Sequence, residues 1–121
     1  MTKTILVVDD ADVIRLLSKR ALKAAGYSVI EANSGSSALA LLDGRTVSLA
    51  VCDFSMPGMN GIEFVNAVRK LPNYSRLRII MLSAADMKEI IESGRKAGVD
   101  AWMTKPFSPS TLVDAVNKLC P

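Results

Sequence analysis

The sequence predicts an α/β sandwich built around a parallel β-sheet, and two observations carry that prediction. Short runs of consecutive apolar residues recur along the chain, and amphipathic stretches with helical spacing fall between them. Unbroken apolar runs suit strands buried on both faces of a parallel sheet, whereas a sheet with one wet face alternates apolar and polar residues. Five such runs alternating with five helical patterns predict a doubly wound arrangement with helices on both sides of the sheet.

The first run, Ile5-Leu6-Val7-Val8, predicts strand one and stops at Asp9-Asp10. The first helix follows: Val13, Leu17, Ala21 and Leu22, with Ala24 and Ala25, mark its apolar face, and Arg15, Lys19 and Lys23 mark an opposite, solvated face. A weaker run, Val29-Ile30 after Gly26, predicts strand two, and Ala38, Leu39, Leu41 and Leu42 predict the second helix. Leu49-Ala50-Val51-Cys52 predicts strand three, and Ile62, Phe64, Val65 and Val68 a third helix starting after Asn60-Gly61. Ile79-Ile80-Met81-Leu82 predicts strand four, with Met87, Ile90 and Ile91 for the fourth helix. Gly94 weakens that helix by about 1 kcal/mol relative to Ala. Ala101-Trp102-Met103 predicts strand five, and Leu112, Val113, Val116 and Leu119 a fifth helix entered through Ser108-Pro109-Ser110.

With 121 residues, 50% hydrophobic and 22% charged, the chain predicts one domain over 1–121, able to bury a core without staples. No apolar run approaches the roughly 20 residues of a membrane helix, and none forms a secretory signal, so a cytoplasmic protein without a membrane partner is expected. Cys52 and Cys120 fit neither a disulfide framework nor a zinc motif and are expected to be reduced. There is no histidine, which excludes Ser-His-Asp triads, Cys-His pairs and histidine-held zinc, and leaves oxygen ligands for any metal. Fifteen Lys+Arg against twelve Asp+Glu give only +3, with no basic run, so no nucleic-acid partner is expected.

In open α/β sheets, sites lie beyond the carboxyl ends of the strands, near a switch in strand order. The strand ends here carry Asp9-Asp10, Asp53, Ser83 and Thr104-Lys105-Pro106. Three close carboxylates repel one another, and a divalent cation relieves that repulsion; an all-oxygen, histidine-free set favours Mg²⁺. Mg²⁺ typically combines one or two carboxylates with phosphate oxygens, which leaves a place for phosphate. Lys105 can neutralise a phosphate oxygen and Ser83 can donate to the same group. With no serine or cysteine nucleophile backed by a base, a carboxylate is the expected acceptor, forming an aspartyl phosphate.

Four segments resemble, in order and spacing, the receiver domains of two-component response regulators: Val7-Val8-Asp9-Asp10, the stretch from Cys52-Asp53-Phe54-Ser55 through Met56-Pro57-Gly58-Met59-Asn60-Gly61, Met81-Leu82-Ser83-Ala84, and Thr104-Lys105-Pro106-Phe107. The resemblance implies a flavodoxin-like (βα)5 fold with strand order 2-1-3-4-5. It implies that Asp53 accepts a phosphoryl group from a phosphohistidine on a sensor histidine kinase or histidine phosphotransfer protein. Asp10, Asp53 and the Ser55 backbone carbonyl would ligate Mg²⁺, with Asp9 acting mainly through a metal-bound water. Ser83 would hydrogen-bond the phosphoryl group, Lys105 would pair with it, and Lys105-Pro106 would be cis. Such a protein catalyses only its own phosphorylation and dephosphorylation, with Ser55 and Ala85 flanking the path of the attacking water.

Trp102 stands where receivers carry a switch aromatic that follows Ser83, and a packed aromatic on the flank of the sheet is the alternative. Output would pass to a downstream protein through the helix 4–strand 5–helix 5 face. The first helix would lie where a helical phosphodonor docks, which gives the Arg15, Lys19, Lys23 stripe a steering role as the alternative to a plain solvated face. Met56 and Met59 are expected to pack the active-site loop. Chemotaxis-type output, favoured by likeness around Asn73-Tyr74-Ser75 and Trp102, competes with a phosphorelay shuttle. Two rivals come from other classes. A haloacid-dehalogenase-type phosphatase needs Asp-x-Asp on strand one, and here Asp10-Ala11-Asp12 lies past the strand. A flavodoxin-type carrier needs a phosphate loop where this chain has acids.

Overall fold

The computed structural model describes residues 2–84 and 88–120. Along them run β1 (Thr4–Val8), α1 (Asp12–Ala24), β2 (Ser28–Ala32), α2 (Gly35–Leu41), β3 (Leu49–Asp53), α3 (Gly61–Arg69), β4 (Arg78–Ser83), α4 (Lys88–Ala97), β5 (Ala101–Thr104) and α5 (Pro109–Leu119). The strands pair in parallel in the order β2-β1-β3-β4-β5, so the chain reverses direction across the sheet at β1 and β3. This is the flavodoxin-like order, and β3 is buried at every residue.

Because successive strand residues point to opposite faces, each apolar run serves two cores. Ile5, Val7, Leu49, Val51, Ile80 and Leu82 meet Leu22 of α1 and Leu112 and Val116 of α5. Leu6, Val8, Ala50, Cys52, Ile79 and Met81 meet Ala38 of α2 and Phe64, Val65 and Val68 of α3. Fully burying one such side chain contributes about 1.5–3 kcal/mol. Cys52 and Cys120 are free thiols within these cores, and burial pushes the Cys52 thiol well above its ordinary pKa.

Among the described helix starts, three begin on side-chain caps. The Ser34 hydroxyl accepts from the Ser37 N–H, Asn60 and Glu63 form a reciprocal capping box, and the Ser108 hydroxyl accepts from the Thr111 N–H ahead of a proline in the first turn. Each such cap contributes about 1 kcal/mol. Helix α1 has no side-chain cap at Ala11; there the Asp9 carboxylate accepts the Ala11 N–H at 2.9 Å.

Helix α1 corrects the expected apolar face. Val13 and Leu17 are 68% and 50% exposed, and the residues it buries are Ser18 and Leu22. The inward stripe is Ile14, Ser18 and Leu22 at i, i+4, i+8, and the small hydroxyl of Ser18 hides it from a hydrophobic count. The opposite face is not simply solvated either: Arg15 and Lys19 pair with Glu31 of β2 at 3.1 and 2.7 Å. In α4, Ile90 and Ile91 are half-buried as the spacing predicts, while Met87 lies outside the described residues. No described helix is long and apolar enough to cross a membrane.

Candidate functional site

Asp9 follows β1 directly, while Asp53 and Ser83 are the last residues of β3 and β4, so the register of the sheet delivers them to one edge. Backbone bonds past the strands knit that edge together: Asp9 N–H to the Ala32 carbonyl at 3.1 Å, Phe54 N–H to Leu82 at 2.8 Å, and Lys105 N–H to Ser83 at 2.7 Å. The Lys105-Pro106 peptide is cis, as expected.

Asp9, Asp10 and Asp53 each offer a carboxylate oxygen, and these oxygens lie within 4.8 Å of one another. Asp9 and Asp53 are buried, 1% and 4% exposed, whereas Asp10 faces solvent. At this range the buried pair, Asp9 and Asp53, repels by on the order of 3 kcal/mol at an effective dielectric near 20, while solvent screens the exposed Asp10. Lys105 answers part of this: its ammonium lies 3.2 Å from Asp9 Oδ2 and 3.1 Å from Asp53 Oδ1. Burial, followed by the charge on Asp9, raises the Asp53 pKa despite Lys105. Burial alone pulls the Lys105 ammonium down, but its two carboxylate partners outweigh that and its pKa is raised. One ammonium against three carboxylates leaves two negative charges in a set of hard oxygen donors, which is what a divalent cation such as Mg²⁺ requires.

Asp9, Asp10, Asp53 and Lys105 are therefore brought together as the sequence predicts. Ser83 is buried at the same edge, with Thr104 opposite it in register. Ser55 is solvent-exposed in the loop after β3, and Ala85 lies outside the described residues. Met56 is buried and Met59 packs against the core, as expected for that loop. The Trp102 ring lies 6.4 Å from that of Phe54, its buried indole N–H has no hydrogen-bond partner among the described residues, and α4 crosses it at Gly94. Asp12 is bound to Arg15 at 2.6 Å and does not join the acidic cluster, so the Asp-x-Asp spacing has no counterpart in the site.

Two residues at this edge have structural roles that sequence reasoning does not assign. Arg15, read as part of a solvated stripe, donates to the Asp9 carbonyl at 2.8 Å. Gly61 lets the start of α3 lie against the end of β3, its N–H reaching the Phe54 carbonyl at 2.8 Å. No local pattern marks the role of Arg15, which depends on partners from other segments, whereas Gly61 closes the stretch that resembles receivers and only its close packing is hidden.

Fold and site define a doubly wound α/β protein with an acidic cluster and a lysine at the switch point of its sheet. The chain belongs to the response regulator receiver domain family, whose model matches residues 5–117. It is 36% identical over 121 residues to the chemotaxis protein CheY of Thermotoga maritima, with 98% of each chain covered. It is 33% identical over 116 residues to the chemotaxis protein CheY of Pseudomonas aeruginosa, covering 95% of this chain and 94% of that protein. Among solved structures it is similar to the chemotaxis response regulator CheY4 of Vibrio cholerae, with a TM-score of 0.93, 34% identity, and 98% and 99% of the two chains covered.

Proposed function

We propose that this receiver accepts a phosphoryl group on Asp53, in a Mg²⁺-dependent reaction, from a phosphohistidine on a sensor histidine kinase or histidine phosphotransfer protein. The observation that carries the reading is the Lys105 ammonium bridging Asp9 and Asp53 inside a cluster of three carboxylates. An Asp53 carboxylate oxygen attacks phosphorus, the P–N bond breaks, and its electron pair returns to the donor imidazole. Lys105, already within hydrogen-bond reach of Asp53, pairs with a phosphoryl oxygen as charge develops there, and the Ser83 hydroxyl donates to another. Asp9, Asp10, Asp53 and the Ser55 carbonyl would hold Mg²⁺, which when bound neutralises carboxylate and phosphoryl oxygens together. Hydrolysis of the acyl phosphate returns the protein to its starting state, so it signals rather than turning over a substrate.

Chemotaxis-type output is favoured over a phosphorelay shuttle, because proteins named for chemotaxis match this chain over nearly their whole length. The phosphodonor helix would meet α1, where Val13, Leu16 and Leu17 are exposed and Leu17 lies beside the loop carrying Lys105 and Phe107. In the test, acetyl phosphate with Mg²⁺ adds one phosphate, about 80 Da, to the intact protein. Mg²⁺ at a hundred times its Kd also raises stability by about 2.7 kcal/mol. No mass gain, or labelling that persists in excess chelator, contradicts the reading.

Trp102 is the proposed switch aromatic, with output through the α4–β5–α5 face. A Cβ on Gly94 would come within 2.5 Å of Trp102 Cζ3, so the indole occupies room that only glycine leaves. Gly94→Ala is expected to displace the ring and shift its fluorescence without phosphoryl donor, while Asp53 labels to the wild-type extent. An unshifted spectrum means that α4 moves instead of the ring, and a wild-type emission left flat by a phosphoryl mimic with Mg²⁺ overturns the switch role.

A further inference from the structure

We propose that Arg15 is the positioning residue that holds the Asp9-Asp10 segment in metal-binding geometry, clamping it to the end of β2 and to the first turn of α1. The inference rests on the Mg²⁺ reading above. Three donors of one guanidinium are engaged: Nη1 with the Asp9 carbonyl at 2.8 Å, Nε with Glu31 Oε1 at 3.1 Å, and Nη2 with Asp12 Oδ1 at 2.6 Å. The side chain is only 16% exposed, so this is not a loose surface arginine. Glu31 is held in turn by Lys19 at 2.7 Å.

Asp9 is thereby fixed at four atoms. Its N–H reaches the Ala32 carbonyl at 3.1 Å and its carbonyl takes Arg15 at 2.8 Å; Oδ1 takes the Ala11 N–H at 2.9 Å and Oδ2 takes Lys105 at 3.2 Å. Glu31 and Ala32, adjacent on β2, therefore grip both peptide groups of Asp9, Ala32 directly and Glu31 through Arg15. The Asp9 carbonyl lies in the same rigid peptide plane as the Asp10 nitrogen, so fixing it sets the direction in which Asp10 leaves the backbone. Asp10 is exposed, and its carboxylate depends on that backbone for its place in the cluster. A single planar fork can bind a carbonyl and two carboxylates at once, and an ammonium lacks the five fixed donors to do so.

Charge and clamp act on Mg²⁺ affinity with opposite signs. A guanidinium beside the cluster repels a dication, so if Arg15 were only a charge, Arg15→Gln would tighten Mg²⁺ binding. If it is a clamp, the same change loosens binding, by about tenfold or more, as removing a partner that orients metal ligands usually does. Titration calorimetry on the full chain at fixed ionic strength, with thermal melts to confirm folding, reads the sign directly. Arg15→Lys, which keeps the charge and loses the fork, is expected to lie on the weakened side as well. Glu31→Gln leaves Arg15 and the three aspartates in place but removes one negative charge, which by itself weakens Mg²⁺ binding; it is expected to weaken Mg²⁺ binding less than Arg15→Gln, and to add no more than that charge effect in the double variant. Should Arg15→Gln not fold, Arg15→Lys, which keeps the charge, decides the question. Unchanged or tighter Mg²⁺ binding in folded variants overturns the clamp alone; a wild type that takes up no Mg²⁺ overturns the site reading and the clamp with it.

Discussion

Asp53→Asn is expected to lose all phosphoryl labelling and, at neutral pH and without Mg²⁺, to melt at a higher temperature than the wild type. The first half follows from chemistry: an amide nitrogen or oxygen cannot become the acyl phosphate, and no other described carboxylate lies both buried at the strand end and in contact with Lys105 except Asp9, whose two oxygens are already held by Ala11 and Lys105. The second half follows from linkage. Burial and Asp9 raise the Asp53 pKa in the fold, so the folded protein holds that proton more tightly than the unfolded chain does. Ionised Asp53 therefore opposes folding. The cost is absent below the ordinary carboxylate pKa of 3.8, grows as the pH rises past it, and is complete above the raised value. Asn carries no such cost, so the stability difference should open across that window and stay constant above it. Intact mass after acetyl phosphate treatment, with melts across that pH range, checks both halves. Labelling equal to the wild type moves the acceptor elsewhere, and a lower melting temperature at neutral pH means that the Lys105 pair outweighs the repulsion.

Much of this was legible because a parallel sheet writes itself locally. A strand buried on both faces has no choice but consecutive apolar residues, and whatever polar group follows it is carried to the functional edge; that is how Asp9, Asp10, Asp53, Ser83 and Lys105 can be read from a linear string. Strand order is different, since no run of residues says which neighbour it will pair with, and it came from likeness to receivers. Helix α1 shows the limit of periodicity. Its inward stripe contains Ser18 and its outward side contains Val13 and Leu17, so counting apolar residues finds the buried Leu22 but misplaces the first half of the face. Arg15 illustrates the same limit for the site, because its importance rests on Glu31 and on a carbonyl, neither of which helical spacing reveals. Tyr74, noted only for family likeness, is a structural strut: its hydroxyl donates to the Arg45 carbonyl at 2.7 Å and accepts the Gly44 N–H at 2.9 Å.

Gly61→Ala is expected to be the most damaging of the small substitutions near the site. Its backbone is not in the left-handed region, so the need for glycine is one of space. An added Cβ would stand 2.5 Å from Met81 Sδ, 2.9 Å from the Asp53 carbonyl oxygen and 2.9 Å from Phe54 Cα. The methionine can swing aside, but the other two atoms belong to the backbone that carries the acceptor. The Gly61 N–H is bonded to Phe54 and the preceding Asn60 is locked in its box with Glu63, so α3 cannot withdraw without losing these bonds. Overpacking of this kind typically costs about 1–3 kcal/mol, and contact with backbone on two sides places the expected loss near the top of that range. Because the strain falls on Asp53 itself, the acetyl phosphate labelling rate should fall together with the denaturant midpoint. Gly94→Ala supplies the contrast: it crowds the indole of Trp102 and leaves the end of β3 alone, so its labelling rate should stay near that of the wild type. A Gly61→Ala protein that loses stability but labels at full rate would show that the end of β3 yields without moving the acceptor.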